Sequence, residues 1–392
     1  MTHYPYLIVG GGMTADAAAR AIRESDATGG VGLISAEPHP PYARPPLSKG
    51  LWKGDPEAGI WKGTETAGVD LRLGRRVAAI DTKEKTVTDE RGDTVTYGKL
   101  LLATGGTPRR LPLDTEQIIY FRTYDDYRRL RTLANERLRF AVLGGGFIGS
   151  EIAAALKTAG RSVVMLVPEE GISARVFPAD LSRFLVGYYR EQGVEVLTGE
   201  GLAGLTPRAG TVIVRTTSGQ EIPVDVIVAG LGIQPNVDLA EQAGLRVDNG
   251  IVVDELLGTS TPDVFAAGDV ANFFNPALGT RMRVEHEDNA NTMGAAAGRA
   301  MAGQGTPYTH LPSFYSDLFA HGYEAVGELD PRLDTVADWK EPFREGVIYY
   351  LKDGRVRGVL LWNTWGQVDA ARALIAEPGP FRTENLKGRL PG

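Results

Sequence analysis

One pattern occurs twice in this chain and dictates most of what the chain can become. Leu7-Ile8-Val9-Gly10-Gly11-Gly12-Met13-Thr14-Ala15 returns as Ala141-Val142-Leu143-Gly144-Gly145-Gly146-Phe147-Ile148-Gly149. Each copy runs from an apolar strand through a G-x-G-x-x-G/A turn into an alanine-rich stretch with helical spacing. The spacing predicts a first strand at Tyr6–Val9 and helices over Thr14–Glu24 and Ile148–Ala159. Further strands follow over Val31–Ser35 and Ser162–Val167, and an acidic residue comes after each, Glu37 and Glu169.

Physical chemistry gives every part of this unit a task. The first glycine (Gly10, Gly144) makes the tight turn, and the second (Gly12, Gly146) lets backbone N–H groups reach a pyrophosphate. Thr14 and Ile148 enter the first helical turn, whose N-terminus carries partial positive charge. The third small residue (Ala15, Gly149) lets helix and strand pack closely. Glu37 and Glu169 stand where a carboxylate accepts hydrogen bonds from a ribose. A single match can be an ordinary turn. Two in register, each with strand, helix and acid, predict two dinucleotide sites in an α/β fold with two Rossmann-type domains.

Two later segments extend the pattern. Lys99-Leu100-Leu101-Leu102-Ala103-Thr104-Gly105-Gly106 reads as a buried strand entering a glycine turn, and Thr261–Ala267 as another that ends in Gly268-Asp269. Asp269 either caps a following helix or meets a polyol hydroxyl of a bound cofactor.

Composition removes several function classes. With 42 basic and 49 acidic residues the net charge is −7, so no broad basic face is expected for nucleic acid or anionic lipid. No run of about 18 uncharged apolar residues is present, so no membrane span is expected. The first strand begins so near Met1 that no targeting peptide is expected, which makes the cytoplasm the predicted compartment. There is no cysteine. Disulfide relays, iron–sulfur clusters and thiolate metal sites are thereby excluded. His3, His39, His286, His310 and His321 lack ligand spacing, and no metal site is expected.

In this order the segments resemble the two-dinucleotide flavoprotein reductases of the pyridine nucleotide-disulphide oxidoreductase type. Arg44-Pro45-Pro46-Leu47-Ser48-Lys49 is similar to a motif of oxygenase-coupled ferredoxin reductases and of apoptosis-inducing factor. Ser313–Leu318, Gly322–Gly327, Gly346–Leu351 and Gly358–Asn363 resemble the C-terminal domain of the latter. The resemblance implies an FAD domain at 1–115 and 245–308, an inserted NAD domain at 116–244 and a C-terminal α+β domain at 309–392. Proline-rich joints at Pro108–Pro112 and Pro307–Pro312 agree with two of these boundaries. The features tied to mitochondrial targeting and DNA binding in the animal protein are not expected here.

The resemblance also implies residue roles. Lys49 adjoins the isoalloxazine and pairs with Glu151 across the domain cleft; on sequence alone the one is a surface lysine and the other a helix-dipole partner. Phe147 lies over the flavin and swings aside for nicotinamide. Arg44, Val77, Ala103, Thr104, Gly105, Arg122, Asp269, Glu285, His286 and Tyr315 contact FAD or the nicotinamide end, and Gly232 belongs to the nucleotide-binding set. Glu287 and Tyr315 stand where the family has histidine and tryptophan. Val167-Pro168-Glu169-Glu170 puts two carboxylates where a 2′-phosphate would sit, which favours NADH over NADPH, with Arg175 offsetting part of the repulsion.

The expected activity is hydride transfer from NADH to FAD, with electrons leaving directly to a ferredoxin, a quinone, oxygen or a small oxidant. The alternative is an NADH sensor whose long-lived reduced complex drives homodimerisation or partner docking.

Overall fold

A computed structural model describes residues 1–113 and 115–390. Asp114 and the last two residues of the expected C-terminal segment lie outside the described residues. The chain forms two compact units. The first comprises Met1–Arg44, Pro56–Thr107 and Gln234–Pro312; the second comprises Pro45–Asp55, Pro108–Ile233 and the chain from Ser313 on.

In the first unit a parallel layer runs in the order Val69–Arg72, Val31–Ile34, Thr2–Val9, Thr94–Leu102 and Val264–Ala266. Thr86–Asp89 and Val77–Asp81 extend it as antiparallel strands. The inner strands are near-continuous apolar runs, as a sheet covered on both faces requires. Leu7, Ile8, Leu33, Leu100 and Leu101 are fully buried. The first strand starts four residues earlier than expected, because Thr2, His3 and Tyr4 pair with Val95, Thr96 and Tyr97.

The Met13–Ser25 helix packs against the Glu287–Met301 helix along a seam of small residues. A Cβ at Gly298 would lie 2.3 Å from the Ala18 carbonyl oxygen, and one at Gly294 would lie 2.4 Å from that of Thr14. Such contacts let two backbones approach more closely than larger side chains permit.

The second unit repeats the parallel plan in the order Glu195–Thr198, Ser162–Val167, Arg139–Leu143, Val226–Ala229 and Ile118–Tyr120. A three-stranded antiparallel sheet, Leu202–Arg208, Thr211–Thr216 and Glu221–Val224, shares its core through Val212, Val214, Ile222 and Val224. From Ser313 the chain forms a five-stranded antiparallel sheet in the order Ser313–Leu318, His321–Gly327, Arg355–Trp362, Glu345–Lys352 and Asp334–Glu341, then the Val368–Ala376 helix. No helix among the described residues is long and apolar enough to cross a membrane.

Candidate functional site

Both glycine motifs turn directly from a parallel strand into a helix, the Met13–Ser25 helix in the first unit and Phe147–Thr158 in the second. Gly10 and Gly144 hold φ of +133° and +96°, and a Cβ on either would strike a carbonyl oxygen, Ala103 at 2.1 Å or Gly230 at 2.6 Å. Ala15 is fully buried, and a Cβ on Gly149 would lie 2.1 Å from the Gly144 oxygen. The fold itself thus demands these small residues.

The middle glycines are different. Gly12 and Gly146 are helix N-caps with φ of −93° and −79°, open to any L-residue, and nothing lies within 4 Å of a Cβ built on either. Neither backbone strain nor protein packing asks for glycine there. Free helix N-termini behind an open, side-chain-free approach suit a pyrophosphate. On this ground the two cradles fit the diphosphates of FAD and of a nicotinamide nucleotide.

Around the first cradle, Glu37 receives the Tyr42 hydroxyl at 2.5 Å and the Arg44 guanidinium at 2.5 Å, while Arg44 also donates to the Tyr42 oxygen at 3.1 Å. Burial works against the Arg44 charge, but Glu37, Tyr42 and Asp269 outweigh it and hold its pKa above the ordinary value. The expected ribose acid and the expected FAD arginine are therefore one ion pair, joined by a tyrosine that no sequence signal indicated.

Ala103 donates its amide to Val9 at 2.8 Å, and Gly105 takes positive φ. Asn236 clamps this turn. Its side chain donates to the Thr104 carbonyl and its own carbonyl accepts from the Thr104 hydroxyl, both at 2.8 Å. The turn and its clamp lie 132 residues apart, so local periodicity gave no hint of the contact. Val77 is buried at the head of its strand, opposite Asp89.

Asp269 sits in a single 3-10 turn, Gly268–Val270, that leads into the Ala271–Asn275 strand. The helix-capping alternative for Asp269 is thereby corrected: the residue lies inside this short turn, whose N-cap is Ala267, and a strand rather than an α-helix follows. The turn is held by Arg283, which donates to the Asp269 carbonyl at 3.1 Å and to Glu285 at 2.8 Å. His286 is the N-cap of the Glu287–Met301 helix. Burial pushes its imidazole down to about 4 against the opposing pull of Asp269 and Asp288, so the ring is neutral near pH 7.

In the second unit Ile148 is exposed in the first turn of the helix, and the Phe147 ring stands 5.2 Å from that of Phe314. Glu169 follows the Ser162–Val167 strand and accepts from Arg175 at 2.5 and 2.6 Å. Gly232 takes positive φ and accepts the Arg109 amide at 2.9 Å. The Arg122 amide donates to Asp126 at 3.1 Å, just before a capping box that opens the Tyr124–Glu136 helix.

A buried charged cluster also lies in the second unit. Lys49 Nζ lies 2.8 Å from Glu151 Oε1, with only 11% and 2% of the two side chains exposed. Ser48 donates to Glu151 Oε2 at 2.6 Å, and Ser316 donates to Oε1 at 2.6 Å. The Lys49 ammonium also stands 5.0 Å from the ring centre of the half-exposed Tyr315. Lys49 and Glu151 do not belong to separate units, as expected from a pair across a cleft. Pro45–Asp55 packs with the second unit, so both partners are in it. The two serines lie in segments that carry the resemblance, but neither was expected to have a role of its own.

Comparison with known proteins matches this architecture. The family model described as pyridine nucleotide-disulphide oxidoreductase covers residues 4–294, and that of the apoptosis-inducing factor C-terminal region covers 297–342 and 337–377. A mitochondrial apoptosis-inducing factor 1 of Dictyostelium discoideum is 33% identical over 95% of this chain and 78% of its own. The ferredoxin–NAD(+) reductase component of an anthranilate 1,2-dioxygenase system from Burkholderia cepacia is 36% identical, over 96% of this chain and 95% of its own. The chain spans 65% of the length of a Drosophila melanogaster relative. Among solved structures, a chain of the covalent putidaredoxin reductase–putidaredoxin complex superposes with a TM-score of 0.91 at 29% identity, covering 98% of this chain and 95% of that one. Two nucleotide cradles without a redox thiol are those of an FAD- and NAD(H)-dependent oxidoreductase that passes electrons to an external acceptor. The chain belongs to the pyridine nucleotide-disulphide oxidoreductase family.

Proposed function

We propose that this protein is an NADH-dependent FAD reductase whose acceptor is a ferredoxin-type iron–sulfur protein. The observation that carries this reading is the buried Lys49–Glu151 pair beside the second glycine loop in a chain without cysteine. A desolvated cation held by hydrogen-bonded carboxylate is an apt electrostatic partner for a ring that gains electrons. When bound, FAD supplies the exchange between a two-electron hydride donor and a one-electron acceptor. With no thiol to relay them, the electrons leave from the flavin itself. Two relatives carry the name ferredoxin–NAD(+) reductase component.

In this reading residues 1–115 and 245–308 hold FAD, 116–244 hold NADH, and 309–392 form the C-terminal domain. Gly10, Gly12, Thr14 and Ala15 seat the FAD pyrophosphate, and Glu37 takes the ribose. Arg44, Val77, Ala103, Thr104, Gly105, Arg122, Asp269, Glu285, His286 and Tyr315 line the rest. Gly144, Gly146, Ile148, Gly149 and Gly232 seat NADH, and Phe147 moves aside for its nicotinamide. Glu169 favours NADH because a carboxylate repels a 2′-phosphate, even with Arg175 paired to it.

Stopped-flow mixing of the FAD-loaded protein with NADH, then with oxidised ferredoxin, quinone or oxygen, tests this. Fast flavin reduction that is slowed severely in Lys49→Ala, with fastest reoxidation by ferredoxin, is the expected result. Wild-type reduction rates in Lys49→Ala remove the proposed role of the lysine. The match to the apoptosis-inducing factor C-terminal region favours one second reading, an NADH sensor. It predicts slow reoxidation by all three acceptors, persistent long-wavelength absorbance and a homodimer formed on NADH addition.

A further inference from the structure

The Lys49–Glu151 pair rests on a support that the family resemblance does not supply. Glu151 Oε2 is held by Ser48, which travels with Lys49 on the same short segment. Oε1 is shared by Lys49 and Ser316, and Ser316 comes from the antiparallel sheet, 165 residues along the chain from Glu151. Ser316 therefore ties the carboxylate to something other than the lysine's own segment.

That anchor is rigid. Ser316 is the register partner of Tyr323 on the neighbouring strand. A serine hydroxyl has one proton, and here it goes to Glu151. Tyr323 is 1% exposed; its ring stacks on Trp362 at 10° with centres 6.0 Å apart and meets Phe177 edge-on at 5.1 Å. Burial, and then the nearby Glu151 charge, push the Tyr323 phenol well above its ordinary pKa, so it adds no charge beside Glu151. The other groups near Glu151 are otherwise engaged. Tyr189, also raised by burial first, donates to the Ser150 carbonyl at 3.1 Å. Asp317, next to Ser316, pairs with Lys53 at 2.7 Å.

We propose that Ser316, held on a paired strand of the antiparallel sheet, is a positioning residue that fixes the Glu151 carboxylate and through it the direction of Lys49. Ser316 thereby sets the electrostatics of flavin reduction through Glu151 and Lys49 rather than by its own contact with the flavin. This rests on the reading that Lys49 adjoins that ring.

The test uses FAD-loaded protein with Ser316→Ala and Ser316→Thr, and Ser316→Ala repeated in a Glu151→Gln background. Flavin reduction by NADH and the midpoint potential of the bound flavin are both measured. Loss of one hydrogen bond to a buried charge predicts that Ser316→Ala slows reduction about tenfold or more with KM for NADH unchanged. Its potential shifts in the same direction as that of Glu151→Gln. Ser316→Thr, which keeps the hydroxyl, restores rate and potential. Adding Ser316→Ala to Glu151→Gln slows reduction no further. An unchanged rate and potential in Ser316→Ala overturns the proposal, and so does an undiminished effect of Ser316→Ala in the Glu151→Gln background. Should Lys49→Ala reduce at the wild-type rate, the underlying reading of Lys49 fails instead.

Discussion

The sharpest prediction contrasts two glycines two residues apart. Gly144 holds φ +96°, and a Cβ there would lie 2.6 Å from the Gly230 carbonyl oxygen. Gly144→Ala should cost about 1–3 kcal/mol in backbone strain, and more because that carbonyl must move. Gly146 has φ −79° and nothing within 4 Å of a Cβ. Gly146→Val should cost the protein no more than about 1 kcal/mol, the difference between glycine and an apolar residue at an N-cap. Its isopropyl group would occupy the space proposed for the pyrophosphate. ADP-ribose at a hundred times its Kd should stabilise the wild type by about 2.7 kcal/mol. That corresponds to a melting shift of roughly 5–10 °C for a unit of this size. Thermal unfolding of FAD-loaded wild type, Gly144→Ala and Gly146→Val, with and without ADP-ribose, reads both quantities. Gly146→Val should melt near the wild type without ligand and gain nothing with it. Full ADP-ribose stabilisation of Gly146→Val, or a loss of stability matching Gly144→Ala, refutes the assignment of that open space to a ligand.

Two further predictions concern charge. The folded pKa of His286, about 4, lies below the ordinary 6.5, so the unfolded chain binds more protons between those values. Its stabilising contribution is therefore complete above pH 6.5 and is lost as pH falls toward 4. The urea midpoint of the wild type should decline more steeply over that window than that of His286→Asn; parallel profiles refute the assignment. Glu169→Ala removes the 2′-phosphate repulsion and releases Arg175 from its 2.5 Å ion pair. The ratio of kcat/KM for NADH over NADPH should fall by about tenfold or more, and an unchanged ratio counts against Glu169 as the discriminating residue.

The parts of the fold that short-range physics controls were legible in the sequence. The duplicated glycine turn located both nucleotide helices within a residue or so, because turn geometry and helical spacing are encoded locally. The contacts that complete each site were not. Asn236 reaches Thr104, and Ser316 reaches Glu151, only after the sheets have assembled. No periodicity records such encounters. Asp269 shows the limit from the other side. A carboxylate after a buried strand looked the same whether helix or strand followed, and only pairing of Phe273–Asn275 with Thr280–Met282 decided for strand. The Lys49 segment carried its motif openly, but its membership of the second unit depends on packing between Pro45–Asp55 and the Tyr124–Glu136 and Phe147–Thr158 helices.

Native mass spectrometry of the purified chain with added ADP-ribose tests the twin-cradle account most directly. The predicted spectrum shows one FAD and one ADP-ribose on the same polypeptide, with the ADP-ribose lost in Gly146→Val and the FAD retained. A chain that carries neither nucleotide, or on which ADP-ribose and FAD displace each other, contradicts it.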